Sequence, residues 1–165
     1  MRAAVIIAGG VLALAACGQP AQRAEPGPAE QVSAAPAVSD AATTPDGPLS
    51  AVDLRRVCRA GLAAIHGQEP GAVELTGMEG EAVNAQWRAP VDGGLMKAQC
   101  RAGDGLLTWK PLELPDPADI RWMNLAGDPV NTYAIKGDVV TITQTLPDGT
   151  AETADLTVPA TQEAA

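Results

Sequence analysis

From Leu49 onward, apolar and polar positions follow one another in two different periods. Over residues 49–66, Leu54, Val57, Cys58, Gly61, Leu62 and Ile65 recur in alternating long and short steps, which places them on one stripe of an α-helix. Ser50 followed by Asp53 reads as a capping box with Asp in the Glu/Gln place, and Leu49 and Leu54 hold the two positions of a hydrophobic staple. Gly67 suits the left-handed residue after the last turn, and Pro70 prevents continuation. Cys58 lies on the apolar stripe, so it points at whatever the helix packs on.

Beyond Ala72 the period becomes two. Val73 and Leu75 alternate with Glu74 and Thr76; Val83, Ala85 and Trp87 alternate with Asn84, Gln86 and Arg88. Ala89 to Gly94 reads as a loop, after which Met96, Ala98 and Cys100 alternate with Lys97, Gln99 and Arg101. Leu106 to Lys110 is a short strand behind the Asp104-Gly105 turn. Val130 to Ile135 and Val139 to Leu146 form a hairpin around Gly137, and Ala151 to Val158 is the last strand. Thr141, Thr143 and Thr145 give one strand a wet face. Residues 111–129 carry four prolines and no regular period; Ile120, Trp122 and Leu125 are the side chains expected to anchor this segment. The pattern predicts an α+β domain: one N-terminal amphipathic helix packed on a mostly antiparallel sheet of six or seven strands, joined as a meander. Cys100 falls on an apolar strand face as Cys58 does on its helix, so the two are placed for a helix-to-sheet disulfide.

Composition trims the ordered part. Residues 18–48 are rich in Ala, Pro, Gln, Glu, Ser and Thr, and Val32 and Val38 are the only larger aliphatic side chains there. Such a stretch buries too little surface to offset its ordering entropy. It is expected to be a linker, with residues 159–165 a flexible tail and 49–158 a single domain. The chain opens with Met1-Arg2 and an apolar run to Ala16, about 14 residues against about 20 for a bilayer crossing. A basic start, a short apolar core and small residues before a cut site form a secretory signal, 1–16.

The residues at that cut site, Leu14-Ala15-Ala16-Cys17, resemble the lipobox of bacterial lipoproteins. The resemblance implies that Cys17 becomes the mature N-terminus and carries a diacylglycerol thioether and an N-acyl chain. Residues 17–48 are then a lipid-anchored linker. Gly18, where Asp would favour inner-membrane retention, implies the periplasmic face of the outer membrane. With Cys17 assigned to lipid, Cys58 and Cys100 remain as an even pair in an oxidising compartment, where a disulfide is the default and a catalytic thiol or metal ligand the rival. The run Trp87-Arg88-Ala89-Pro90-Val91-Asp92-Gly93 followed by Cys100 makes the folded part similar to small exported lipoproteins of unknown function from high-GC Gram-negative bacteria.

Candidate chemistry is sparse. His66 is the only imidazole, at the predicted helix end, where a cation interacts well with the helix dipole. No nucleophile elbow, zinc cluster or phosphate-cradling motif accompanies it, so no catalytic residue, metal ligand or cofactor site is assigned. Asp116 with Asp119, and Glu79 with Glu81, are read as solvated carboxylates. Arg55, Arg56 and Arg59 are read as a solvated helix face. The formal net charge of −9 disfavours nucleic acid. Arg121 and Trp122 are the candidate partner contact, with packing of their own loop as the alternative. The expected function is a non-catalytic cell-envelope lipoprotein. It would be attached to a membrane through acylated Cys17 and present a small binding or structural domain to an unknown protein partner. The alternative is an inhibitor or regulator of an envelope hydrolase.

Overall fold

The computed structural model describes residues 47–164. The signal segment, Cys17 and the linker as far as residue 46 lie outside the described residues.

The helix, α1, spans Ala51–Ile65. It opens the described domain rather than the chain. Its start is capped as the Ser50/Asp53 pattern predicts: the Asp53 N–H donates to Ser50 Oγ (3.0 Å), and that hydroxyl donates to Asp53 Oδ2 (2.8 Å). At the other end Gly67 has φ +61°, the Gly67 N–H donates to the Ala64 carbonyl and the Gln68 N–H to the Ala63 carbonyl. These two bonds form a Schellman closure that satisfies the last carbonyls.

Seven strands follow: β1 Glu74–Glu79, β2 Ala82–Arg88, β3 Leu95–Gly103, β4 Leu106–Pro111, β5 Val130–Lys136, β6 Val139–Thr145 and β7 Ala151–Thr157. They make one antiparallel sheet in chain order, β1 to β7, so the meander is observed. The hairpin turns use the residues that tolerate positive φ; Asp104 and Gly105 have φ +51° and +75°, as a two-residue turn with the native strand twist requires. Alternation then sorts the side chains. Val83, Ala85, Trp87, Ala98, Cys100, Leu107, Tyr133, Val140 and Ile142 are buried in one core with Val57, Leu62 and Ala63 of the helix. The opposite face carries Lys97, Arg101, Thr108, Lys110 and the threonines of β5 to β7.

Two contacts set the helix on the sheet. Cys58 and Cys100 are disulfide-bonded, with Cα atoms 5.7 Å apart and a sequence separation of 42, and neither is exposed. The bridge therefore joins helix to sheet as the two periodicities predict. Closing a loop of that length contributes roughly 4 kcal/mol on chain-entropy arguments. One turn further along, Gly61 lies directly under Leu107 of β4.

The sheet is weakest between β4 and β5, which pair only at Leu106/Thr132 and Leu107/Asn131. Beyond that point the irregular segment enters, and the Met123 N–H donates to the Trp109 carbonyl (2.8 Å). The segment is tied internally by a two-pronged ion pair from Arg121 to Asp128, at 2.6 and 2.8 Å. Trp122 anchors it against Arg101 and Lys110 of the sheet, Ile120 is half-buried, and Leu125, expected to anchor it too, is 58% exposed.

Three expectations about polar residues are corrected. The arginine cluster is not a solvated face. Arg56 is buried and donates to the carbonyls of Val158 (2.7 Å) and Gly137 and to Asp53 (3.0 Å). Arg59 pairs with Glu163 and donates to the Val73 carbonyl, and Arg55 donates to the Glu163 carbonyl (2.7 Å). Residues 159–164 are accordingly not loose: Ala160–Gln162 is a 3-10 turn, and Glu163 is buried against the helix. His66 is not a solvated cation at the helix end. It lies between Trp87 and Trp109, with ring centroids 4.5 and 4.7 Å away, and burial lowers its pKa to about 4.

Candidate functional site

A groove of about 670 Å³ opens at the end of the sheet where the β1–β2 and β3–β4 hairpins close. Leu49, Ala51 and Leu54 come from the helix start and the segment leading into it. Met78, Gly80 and Glu81 come from the first hairpin, and Arg101 to Asp104, Leu106 and Thr108 from the second. The meander makes this convergence: in consecutive antiparallel strands, every other turn falls at the same end. Two apolar residues on the groove wall are strongly open to solvent, Met78 at 38% and Leu106 at 49%. Leu106 is exposed because its neighbour Leu107 takes the core face, and adjacent strand residues point to opposite sides.

Arg101 is the fixed polar element of the groove. Its Nε donates to Thr108 Oγ1 (3.1 Å), and its guanidinium carbon lies 4.2 Å from the centre of the Trp122 ring. Lys110 Nζ approaches the same ring at 5.3 Å. A tryptophan face attracts cations by about 0.5–1 kcal/mol at exposed sites. Trp122 therefore holds Arg101 in place from the outer face of the sheet. Glu81 and Asp104 put carboxylates on the groove's rim. The result is an apolar wall edged by charges of both signs, with dimensions suited to a small ligand or a short stretch of chain.

A second hollow of about 350 Å³ adjoins the first on the outer face, sharing Asp104 and Leu106 and adding Thr132, Thr141 and Thr143. A third, of about 110 Å³, lies between Ala64 and Ile65 of the helix and β6–β7.

The residues singled out from sequence are distributed differently. Trp122 packs on the sheet through Arg101 and Lys110 and is half-buried. Arg121 is paired with Asp128, whose carboxyl is pulled down to about 2 by the hydrogen bond from Arg121 and then by the Leu125 N–H. Neither residue lines any of the three hollows. Asp116 caps the 3-10 turn through the Ala118 N–H, and Glu79 accepts from Gln99 Nε2 (2.8 Å), so each of these carboxylates has a local partner. Among the described residues, no group of three His, Cys, Asp or Glu side chains could hold a metal ion. His66 Nε2 is buried with no hydrogen-bond partner among them, and the ring lies against Trp87 and Trp109.

Arg101, Met78, Leu106 and Thr108 are the site residues that sequence reading passed over. Leu106-Leu107 was the available signal, since two adjacent leucines in a half-covered strand oblige one of them to face out. No family model, no curated protein and no solved structure matches the chain.

Proposed function

We propose that the chain is an exported lipoprotein of the cell envelope, attached through acylated Cys17 at the periplasmic face of the outer membrane. Its folded domain acts as a non-catalytic binding module, and the groove around Arg101 is its ligand surface. The observation that carries this reading is the fully buried Cys58–Cys100 bridge. Structural disulfides persist in exported proteins and are rare in reducing compartments. The Leu14-Ala15-Ala16-Cys17 pattern adds the anchor. One acyl chain binds a membrane only marginally, whereas two or more, at about 0.8 kcal/mol per buried methylene, hold stably.

The test is metabolic labelling with radiolabelled palmitate, followed by separation of membrane and soluble fractions. The parent chain takes up label and sediments with membranes. Cys17→Ser loses the label and no longer depends on acylation for its fractionation. Equal labelling of the two chains would overturn the anchor.

A further inference from the structure

The last strand of the sheet, β7, is an edge with no further strand on its outer side among the described residues, and its hydrogen-bonding parity can be read from its two ends. The Val158 N–H donates to the Asp138 carbonyl, and the Leu146 N–H to the Thr150 carbonyl, each at 2.8 Å. Both pairs continue the β6–β7 register, in which Val140 faces Leu156, Ile142 faces Ala154 and Gln144 faces Glu152. Bonded and non-bonded pairs alternate along an antiparallel ladder. The backbone groups of Glu152, Ala154 and Leu156 therefore point at β6, and those of Ala151, Thr153, Asp155 and Thr157 point away. Among the described residues, no backbone or side-chain group bonds to these four outward pairs.

The two edges of the sheet differ. β1 carries a register shift between Leu75 and Gly77, the kind of bulge that spoils an edge as a template. β7 runs through seven consecutive pairs with β6 without a bulge and contains no Pro and no Lys. Of the usual protections of an exposed edge it carries only the charges of Glu152 and Asp155, which a self-pairing about Ala154 places opposite Leu156 and Thr153 rather than opposite each other.

We infer that β7 pairs with β7 of a second copy of this chain, antiparallel about a two-fold axis at Ala154. The sequence of the edge is self-complementary in that register. Every outward N–H and C=O finds a partner, because Ala151 meets the partner's Thr157 and Thr153 meets the partner's Asp155. On the outer face the Thr153 hydroxyl can donate to the partner's Asp155, as Thr141 donates to Asp155 within the chain at 2.6 Å. On the helix face Ala154 meets itself, and Glu152 meets the partner's Leu156, so no carboxylate faces another. An axis at Asp155 instead would oppose two carboxylates, and an axis at Thr153 would leave Thr157 unpaired. The pairing extends the sheet continuously across both copies. It leaves the groove at Arg101 open, because that groove is lined by β1, β3, β4, their turns and the helix start.

The experiment is sedimentation equilibrium of the full chain over a concentration series, with every variant keeping Cys17 so that any contribution of the anchor is constant. The parent chain is expected to double its mass with concentration. Thr153→Asp opposes two carboxylates at each of two symmetric positions and should weaken association about ten-fold or more. Combining it with Asp155→Thr restores the opposite pairing and should recover the parent's association. Circular dichroism checks that both variants keep the fold. Ala154→Cys places one thiol on the axis, in a closely spaced non-bonded pair, and should give under oxidation a reducible dimer absent from the parent. A monomer at all concentrations, a dimer indifferent to Thr153→Asp, or no cross-link through Ala154→Cys would each overturn the inference.

Discussion

A Cβ placed on Gly61 would lie 2.2 Å from Cδ1 of Leu107, so the helix rests on β4 at a distance only glycine allows. Both residues are buried, Leu107 to 1% exposure within the core cluster, so a methyl group at position 61 obliges the Leu107 side chain to shift among its core neighbours. Gly61 is inside a helix, where glycine is worse than alanine by roughly 0.5–1 kcal/mol on backbone grounds. The packing cost is larger. Overpacked cores lose about 1–3 kcal/mol, so after the helical gain Gly61→Ala is expected to destabilise the domain by a net of about 0.5–2 kcal/mol. Urea unfolding measures this as a lower midpoint at unchanged slope. Gly61→Ala with Leu107→Val should recover part of the loss. A neutral or stabilising Gly61→Ala would show that the helix does not sit this close.

His66 makes stability fall in acid. Its folded pKa, about 4, is below the 6.5 of an unfolded histidine because burial disfavours the imidazolium. Above pH 6.5 the ring is neutral in both states and costs nothing. As the pH falls from 6.5 toward 4, the unfolded chain binds the proton first and stability is lost. Below about 4 the folded ring also titrates and the loss levels off. The full difference is on the order of 3 kcal/mol. Unfolding midpoints taken between pH 7 and 4 should decline more steeply for the parent chain than for His66→Gln. Parallel profiles would refute a buried neutral ring between Trp87 and Trp109.

The C-terminal clamp is the third point of measurement. Glu163 is 4% exposed and faces Arg59, which also holds the carbonyl of Val73 at the start of the sheet. Removing one partner of a buried pair leaves the other charge uncompensated. Glu163→Ala is expected to cost about 2–3 kcal/mol, below the 3–5 typical of complete burial because Arg59 keeps its carbonyl partners. Deleting Glu163 to Ala165 should cost at least as much, since it also removes the carbonyl that accepts from Arg55. A double-mutant cycle between Arg59→Ala and Glu163→Ala reads the coupling directly. A truncated chain of unchanged midpoint would mean that the end of the chain is not fastened.

The sequence by itself determined the local elements. Ser50, Asp53 and Gly67 bound the helix through bonds to their own neighbours, and the period-two runs around Val83, Cys100, Tyr133 and Ile142 placed the strands. It also determined the disulfide, because Cys58 and Cys100 each fell on the covered side of its own element. Tertiary structure alone decided the rest. Arg55 and Arg59 look solvated in a window of the helix, and their partner Glu163 is more than a hundred residues away. No local pattern shows that a charge will be met from so far off. His66 is neutral because Trp87 and Trp109, from two different strands, close on it. The groove needs two hairpins and the helix start at one end of the sheet, and only strand order puts them there. Leu106 was the one legible trace of it, and the outward side of β7 could be read only once the register with β6 was known. Periodicity tells which face of an element is covered; which residues from elsewhere cover it is set by the packing of the whole chain.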